Sequence, residues 1–327
     1  LVATVRRDQA PARRRTHPLV VAWSLALITL LSACGVEPPA VTSSFKALGE
    51  SVDMKLVGVD PARAEQAAEL IRQDFAALDH DLNTWSDGSM ATVNRMLPTG
   101  ETFAAPASVL PLVHLSQRYA ELSGGLFNPA LGKLVALWGF NVEVPEGMRP
   151  PPDHAIGQLL KANPRMSDIH VDGAQMQGRN SSLRLDFSPL IRAYAIDVAI
   201  VRLRQLDVHD AQVQSGTDLR VIGTRRTHPW RVSIPRGSGA GVFATLNIRD
   251  DESLVTRAAH DRDWIYQGET YHHILDPRTG RPARGAQSVT VLDRDATVGA
   301  AAAIALFVAG PEEWHRVAQG LGCLLYT

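Results

Sequence analysis

The sequence predicts one α+β domain with largely antiparallel strands, preceded by a leader. Three observations predict it. Apolar residues recur at helical spacing in the first half of the chain, beginning near residue 60. Short alternating segments, separated by Gly, Pro and Asp, dominate from residue 169 onward. The first 34 residues have a composition of their own. The chain has 327 residues, 45% hydrophobic and 20% charged, enough apolar material for a large core and too much for disorder. Two cysteines exclude a disulfide scaffold.

Arg6, Arg7, Arg13, Arg14 and Arg15 precede an apolar run over 19–31 that only Ser24 and Thr29 interrupt. At about 1.5 Å per helical residue the run falls short of a hydrocarbon core about 30 Å thick. Leu31-Ser32-Ala33-Cys34 closes it with small residues ahead of a cysteine. Residues 1–33 therefore read as a bacterial lipoprotein signal, with Cys34 lipidated after cleavage. An ordinary signal peptide and an uncleaved anchor are the alternatives. The lipoprotein reading places the protein in the cell envelope, held on a membrane by lipid alone and facing the periplasm or the exterior. Without residues 1–33 the chain has 28 basic and 33 acidic side chains, a net charge of −5. That balance disfavours a nucleic-acid partner.

Residues 34–44 read as a tether, and 45–327 as the domain. A strand pattern spans 45–57. Asp60-Pro61 starts a helix with a capping carboxylate and proline in its first turn, running to about Leu78. Further helices are expected over 107–122, 129–138, 153–162 and 189–206. Asp172-Gly173 joins a hairpin over 169–176. Strands are expected near 211–213, 219–222, 230–234, 243–248, 264–266, 271–275 and 288–292. An alanine-rich helix over 297–308 stops at Gly310-Pro311, a last helix covers 312–319, and 321–326 begins a strand.

Four stretches are too specific for periodicity to explain. They are Ser123-Gly124-Gly125-Leu126-Phe127-Asn128-Pro129, Leu185-Asp186-Phe187 ahead of Tyr194-Ala195-Ile196-Asp197, Gly216-Thr217-Asp218-Leu219-Arg220, and Tyr271-His272-His273-Ile274-Leu275-Asp276-Pro277-Arg278-Thr279-Gly280. In this order the set resembles the ApbE-type FAD:protein FMN transferases, from about residue 45 to 322. The resemblance implies a compact α+β domain that cleaves FAD, transfers FMN to a threonine of a target protein and releases AMP. It implies magnesium as the cation, FAD as substrate or ligand, and a periplasmic or membrane flavoprotein as acceptor. It also implies a further strand after the last helix.

Carried over by position, the resemblance puts Leu48, Trp85, Leu126, Phe127, Asn128, Asp186, Arg192, Asp218 and Leu275 around the flavin nucleotide, and His273 beside the reacting hydroxyl. Trp85 reads equally as a core residue, and His273 as a partner of the turn over 276–280. Asn128 replaces a family carboxylate, and Arg192 a frequent lysine. The family's metal positions fall on Pro189, Ala300 and Ile304, of which only the first offers an oxygen, its backbone carbonyl. Ser188-Pro189 with Ala193, Thr217, and Ala258 in the run Thr256-Arg257-Ala258-Ala259 depart from the family pattern where glycines approach phosphates. Asp293 and Asp295 are the nearest spare carboxylates, and read as an ordinary loop before a helix. Three functions remain open: a transferase, a catalytically degenerate flavin- or partner-binding lipoprotein, and an FAD pyrophosphatase, which needs the same cation.

Overall fold

The computed structural model describes residues 40–142, 147–225, 227–236 and 241–322, all within one compact unit that begins at Ala40. The leader, Cys34 and the segment after Gly322 lie outside the described residues.

A six-stranded sheet forms the frame: β1 (Val41–Ala47), β2 (Glu50–Val57), β3 (Asp210–Ser215), β4 (Asp218–Ile222), β5 (Ser253–Ala258) and β6 (Ser288–Asp293). The strands lie side by side in chain order, and every neighbouring pair is antiparallel. β1 begins inside the segment read as tether, at residues 41–44. The expected single strand over 45–57 is instead a hairpin, because Leu48 and Gly49 both take positive φ (53° and 77°) and turn the chain. This is the two-residue turn whose twist suits a hairpin.

Three long helices cover one face. They are α1 (Pro61–Leu82), α6 (Ser188–Gln205) and α7 (Ala296–Gly320). The Asp60 carboxylate accepts from the Ala62 and Arg63 amides, 3.1 Å each, and so starts α1 as expected. Helix α7 is broken at Gly310 (φ 67°, ψ −175°), just ahead of Pro311, where two helices were expected. Its small residues allow a close approach to the sheet; a Cβ on Gly299 would sit 3.3 Å from Val255 Cγ2. Composition alone would let α7 cross a membrane, but most of it is buried as a core helix.

The other face of the sheet is covered by a hairpin, Trp230–Pro235 with Val242–Ile248, whose Trp230, Val232 and Ile248 pack on Val57, Leu219, Val221 and Leu254. Covered on both faces, β4 and β5 are buried at every residue. Shorter helices α2 (Ser89–Met96), α3 (Leu110–Leu122), α4 (Gly132–Leu137) and α5 (Asp153–Ala162) complete the chain's long excursion between β2 and β3. Helix α2 was not expected; it is only eight residues long and opens on Gly88 without a side-chain cap.

Candidate functional site

Three segments converge beside the N-terminal end of α6. In the first, the turn over 123–129, the Ser123 hydroxyl accepts from the Phe127 amide (3.1 Å). Asn128 is spent on structure: its Nδ2 donates to the Pro164 carbonyl (2.9 Å), and its Oδ1 accepts from the Ala130 amide (3.2 Å). The Pro129 carbonyl then accepts from the Asp186 amide (2.8 Å), fastening this turn to the second segment. There the Asp186 carboxylate accepts from the Ser188 amide (3.0 Å) and hydroxyl (2.6 Å), stabilising the start of α6. Asn94 on α2 brackets Leu185, donating to its carbonyl (2.9 Å) and accepting from its amide (2.7 Å).

The third segment is the loop over 273–280. Asp276 accepts from the Arg278 amide (2.8 Å) and guanidinium, and the Gly280 carbonyl accepts from Trp138 Nε1 (2.7 Å). Trp138, Phe140, Trp264 and Tyr271 form an aromatic cluster behind it, with the Phe140 ring 6.5 Å from His273. The Gly280 φ is 66°, and a Cβ there would lie 2.6 Å from the Ile156 side chain, so this turn requires glycine.

Between these segments opens a pocket. Among the sequence-derived candidates, Leu126, Phe127, Asn128, Asp186, His273 and Leu275 line it, as do Pro189 and Ile304. Leu48, Trp85, Arg192, Asp218 and Ala300 are not part of its lining. Leu48 is in the β1–β2 turn, Trp85 carries the Arg184 guanidinium 4.4 Å from its ring centroid, and Ala300 is fully buried in the core.

His273 Nδ1 donates to the Arg262 carbonyl (3.2 Å), which fixes the neutral tautomer with Nε2 as acceptor. Burial, more than the nearby His272, Arg257 and Arg262 charges, pushes its imidazole down to about 4. At neutral pH it can accept a proton or hydrogen bond through Nε2 without carrying charge.

The pocket also contains a cation that the sequence reading left without a role. Arg257 on β5 is 3% exposed and lines the pocket. Its Nη1 donates to Asp218 Oδ1 (2.5 Å) and the Thr256 carbonyl (2.9 Å), and its Nη2 to Asp218 Oδ2 (3.0 Å) and the Pro189 carbonyl (2.9 Å). Asp218, fully buried, is thus the partner of Arg257. Arg192 Nε lies 3.5 Å from the same carboxylate, and Arg192 Nη1 lies 3.4 Å from Glu50.

These residues do not fit a magnesium ion. Magnesium needs oxygen ligands, yet Ala300 and Ile304 end in carbon and the Pro189 carbonyl already accepts from Arg257. No group of three or more His, Cys, Asp or Glu is arranged to hold a metal among the described residues. Asp295 is paired with Arg220 (2.9 Å), and Asp293 accepts from the Asp295 amide (3.1 Å). Both carboxylates belong to the junction between β6 and α7.

Fold and site together define an α+β protein with a small-molecule pocket at a helix start, walled by apolar groups and holding one neutral histidine and one clamped arginine. The chain belongs to the ApbE family, whose model matches residues 48–325. It is 31% identical over 305 residues to an FAD:protein FMN transferase of Rhodobacter capsulatus, covering 93% of this chain and 58% of that relative. This chain therefore spans less than two thirds of that relative's length. An FAD:protein FMN transferase of Vibrio cholerae is 26% identical, with 91% and 90% covered. Among solved structures, the ApbE protein of Thermotoga maritima superposes with a TM-score of 0.78 at 26% identity, covering 86% of this chain and 91% of that one.

Proposed function

We propose that this chain binds FAD in the pocket beside α6 and transfers FMN to protein threonines poorly or not at all. Membership of a flavin transferase family supports the ligand. The pocket supplies apolar walls at Leu126, Phe127 and Leu275 for a flat ring system, and polar groups at Asp186 and His273 to orient it. Family transfer would join the threonine oxygen to the FMN phosphorus, break the pyrophosphate bond, and release AMP while a base takes the hydroxyl proton. One observation carries the reading of weak transfer: Ala300 and Ile304 present no oxygen to a cation, so developing phosphate charge loses its strongest stabiliser.

A loss of several kcal/mol would leave about a thousandth of ordinary turnover or less. The test incubates the chain with FAD, magnesium and a threonine-bearing acceptor, and reads covalent FMN by in-gel fluorescence and mass. Family-like turnover overturns the reading. A transferase is the second reading, and His273 favours it, because its acceptor nitrogen lies in the same pocket as the flavin candidates. Anchoring by lipid on Cys34, with a periplasmic or membrane flavoprotein as the partner, completes the proposal; the lipoprotein pattern of the leader supports it.

A further inference from the structure

We propose that the Arg257 guanidinium, clamped by Asp218 and the Pro189 carbonyl, takes the place of a divalent cation in this pocket and binds the phosphate of a flavin nucleotide without metal. The inference rests on the flavin-binding reading and names the residue that meets the ligand's charge.

Three observations support it. First, Arg257 is fixed before any ligand arrives. All four Nη hydrogens are taken, two by Asp218 and two by the carbonyls of Thr256 and Pro189. The Nε–H has no partner among the described residues, so one donor of a held guanidinium remains for a ligand. A planar guanidinium that is already oriented suits phosphate oxygens.

Second, Arg257 shares its carboxylate with another cation. Asp218 is the one carboxylate between two guanidiniums, with Arg257 hydrogen-bonded to it and Arg192 3.5 Å away. Arg192 Nε is buried and makes no hydrogen bond. Glu50, the other neighbour of Arg192, is half exposed and screened by water. An anion entering the pocket would meet Arg257, the cation of its lining, held in place by Asp218.

Third, the substitutions are mutually consistent. The guanidinium uses the Pro189 carbonyl, and Ile304, which lines the same pocket, adds no oxygen for a metal. A metal and this guanidinium would compete for one carbonyl, and like charge would keep them apart.

The experiment measures FAD and riboflavin binding to the full chain by titration calorimetry, in magnesium and in EDTA. Riboflavin shares the ring system and lacks phosphate. Wild type is expected to bind FAD equally well in both buffers. The paired variant Arg257→Met with Asp218→Asn removes the cation without stranding its carboxylate. It is expected to bind FAD about tenfold more weakly or worse, the scale of a lost charge-assisted contact, with riboflavin affinity unchanged. EDTA-sensitive binding by wild type, FAD binding at wild-type strength by the variant, or equal loss of both ligands overturns the inference and leaves the flavin reading standing. Wild type that binds neither ligand overturns both. Should the variant not fold, arginine Nε labelling of wild type decides. FMN must shift the Arg257 Nε–H resonance while riboflavin leaves it in place, and an unmoved resonance overturns the inference.

Discussion

His273 and Arg257 set the chemistry of the pocket in opposite ways, one kept neutral and the other kept charged. The neutral imidazole follows from burial, with its tautomer fixed by the Arg262 carbonyl. A titration by NMR is expected to show His273 protonating near pH 4, and a midpoint above about 6 would refute the burial account. The linkage has a definite sign. The unfolded chain binds the proton near pH 6.5, so the stability contributed by the neutral form is complete above that value. It is lost as pH falls from there towards 4. Of these two residues, only His273 was legible, because it lies in a contiguous motif. The role of Arg257 depends on Asp218, which is distant in sequence and beside it only through the antiparallel pairing of β4 with β5. A charged residue inside a strand otherwise fit for burial was the available signal.

Among the elements, the β1–β2 hairpin is where local conformation conflicts with residue type. Leu48 adopts the left-handed region, which costs an L-residue with a bulky side chain about 1–2 kcal/mol. Leu48→Asn would create Asn-Gly, the preferred pair for this turn, and is expected to stabilise the domain by about 1 kcal/mol in urea unfolding. A decrease would mean that Leu48's packing against the core outweighs the strain. The same residue explains why one strand was read where two exist: Leu-Gly is a poor turn signal and the alternation runs through it. By contrast, the start of α1 at Asp60-Pro61 and the break of α7 at Gly310-Pro311 were legible, since each depends on side chains or backbone freedom within a few residues. Residues 153–162 form a helix with the expected limits.

For the whole molecule, the α+β architecture was legible from the change in periodicity along the chain, and family membership from motifs in order. The sheet order was not, because pairing β2 with β3 joins residues that local pattern cannot relate. If Cys34 carries the lipid, Cys34→Ser is expected to abolish palmitate incorporation and release the protein from membranes. Lipid anchoring that persists in this variant would remove the assignment.

The excursion between β2 and β3 has a consequence for how the chain folds. The main sheet is a simple meander by order, yet the backbone leaves it at Val57 and rejoins it at Asp210. One wall of the pocket, around Phe127 and Asp186, belongs to that excursion, while His273 and Ile304 follow it. Closing so long a loop carries an entropic cost before its contacts form, and non-local pairing of this kind slows folding. During synthesis the pocket cannot be complete until α7 has emerged and docked, since Ile304 belongs to that helix. Flavin uptake would therefore report on the finished chain, and a bound flavin would hold early and late segments together by mass action.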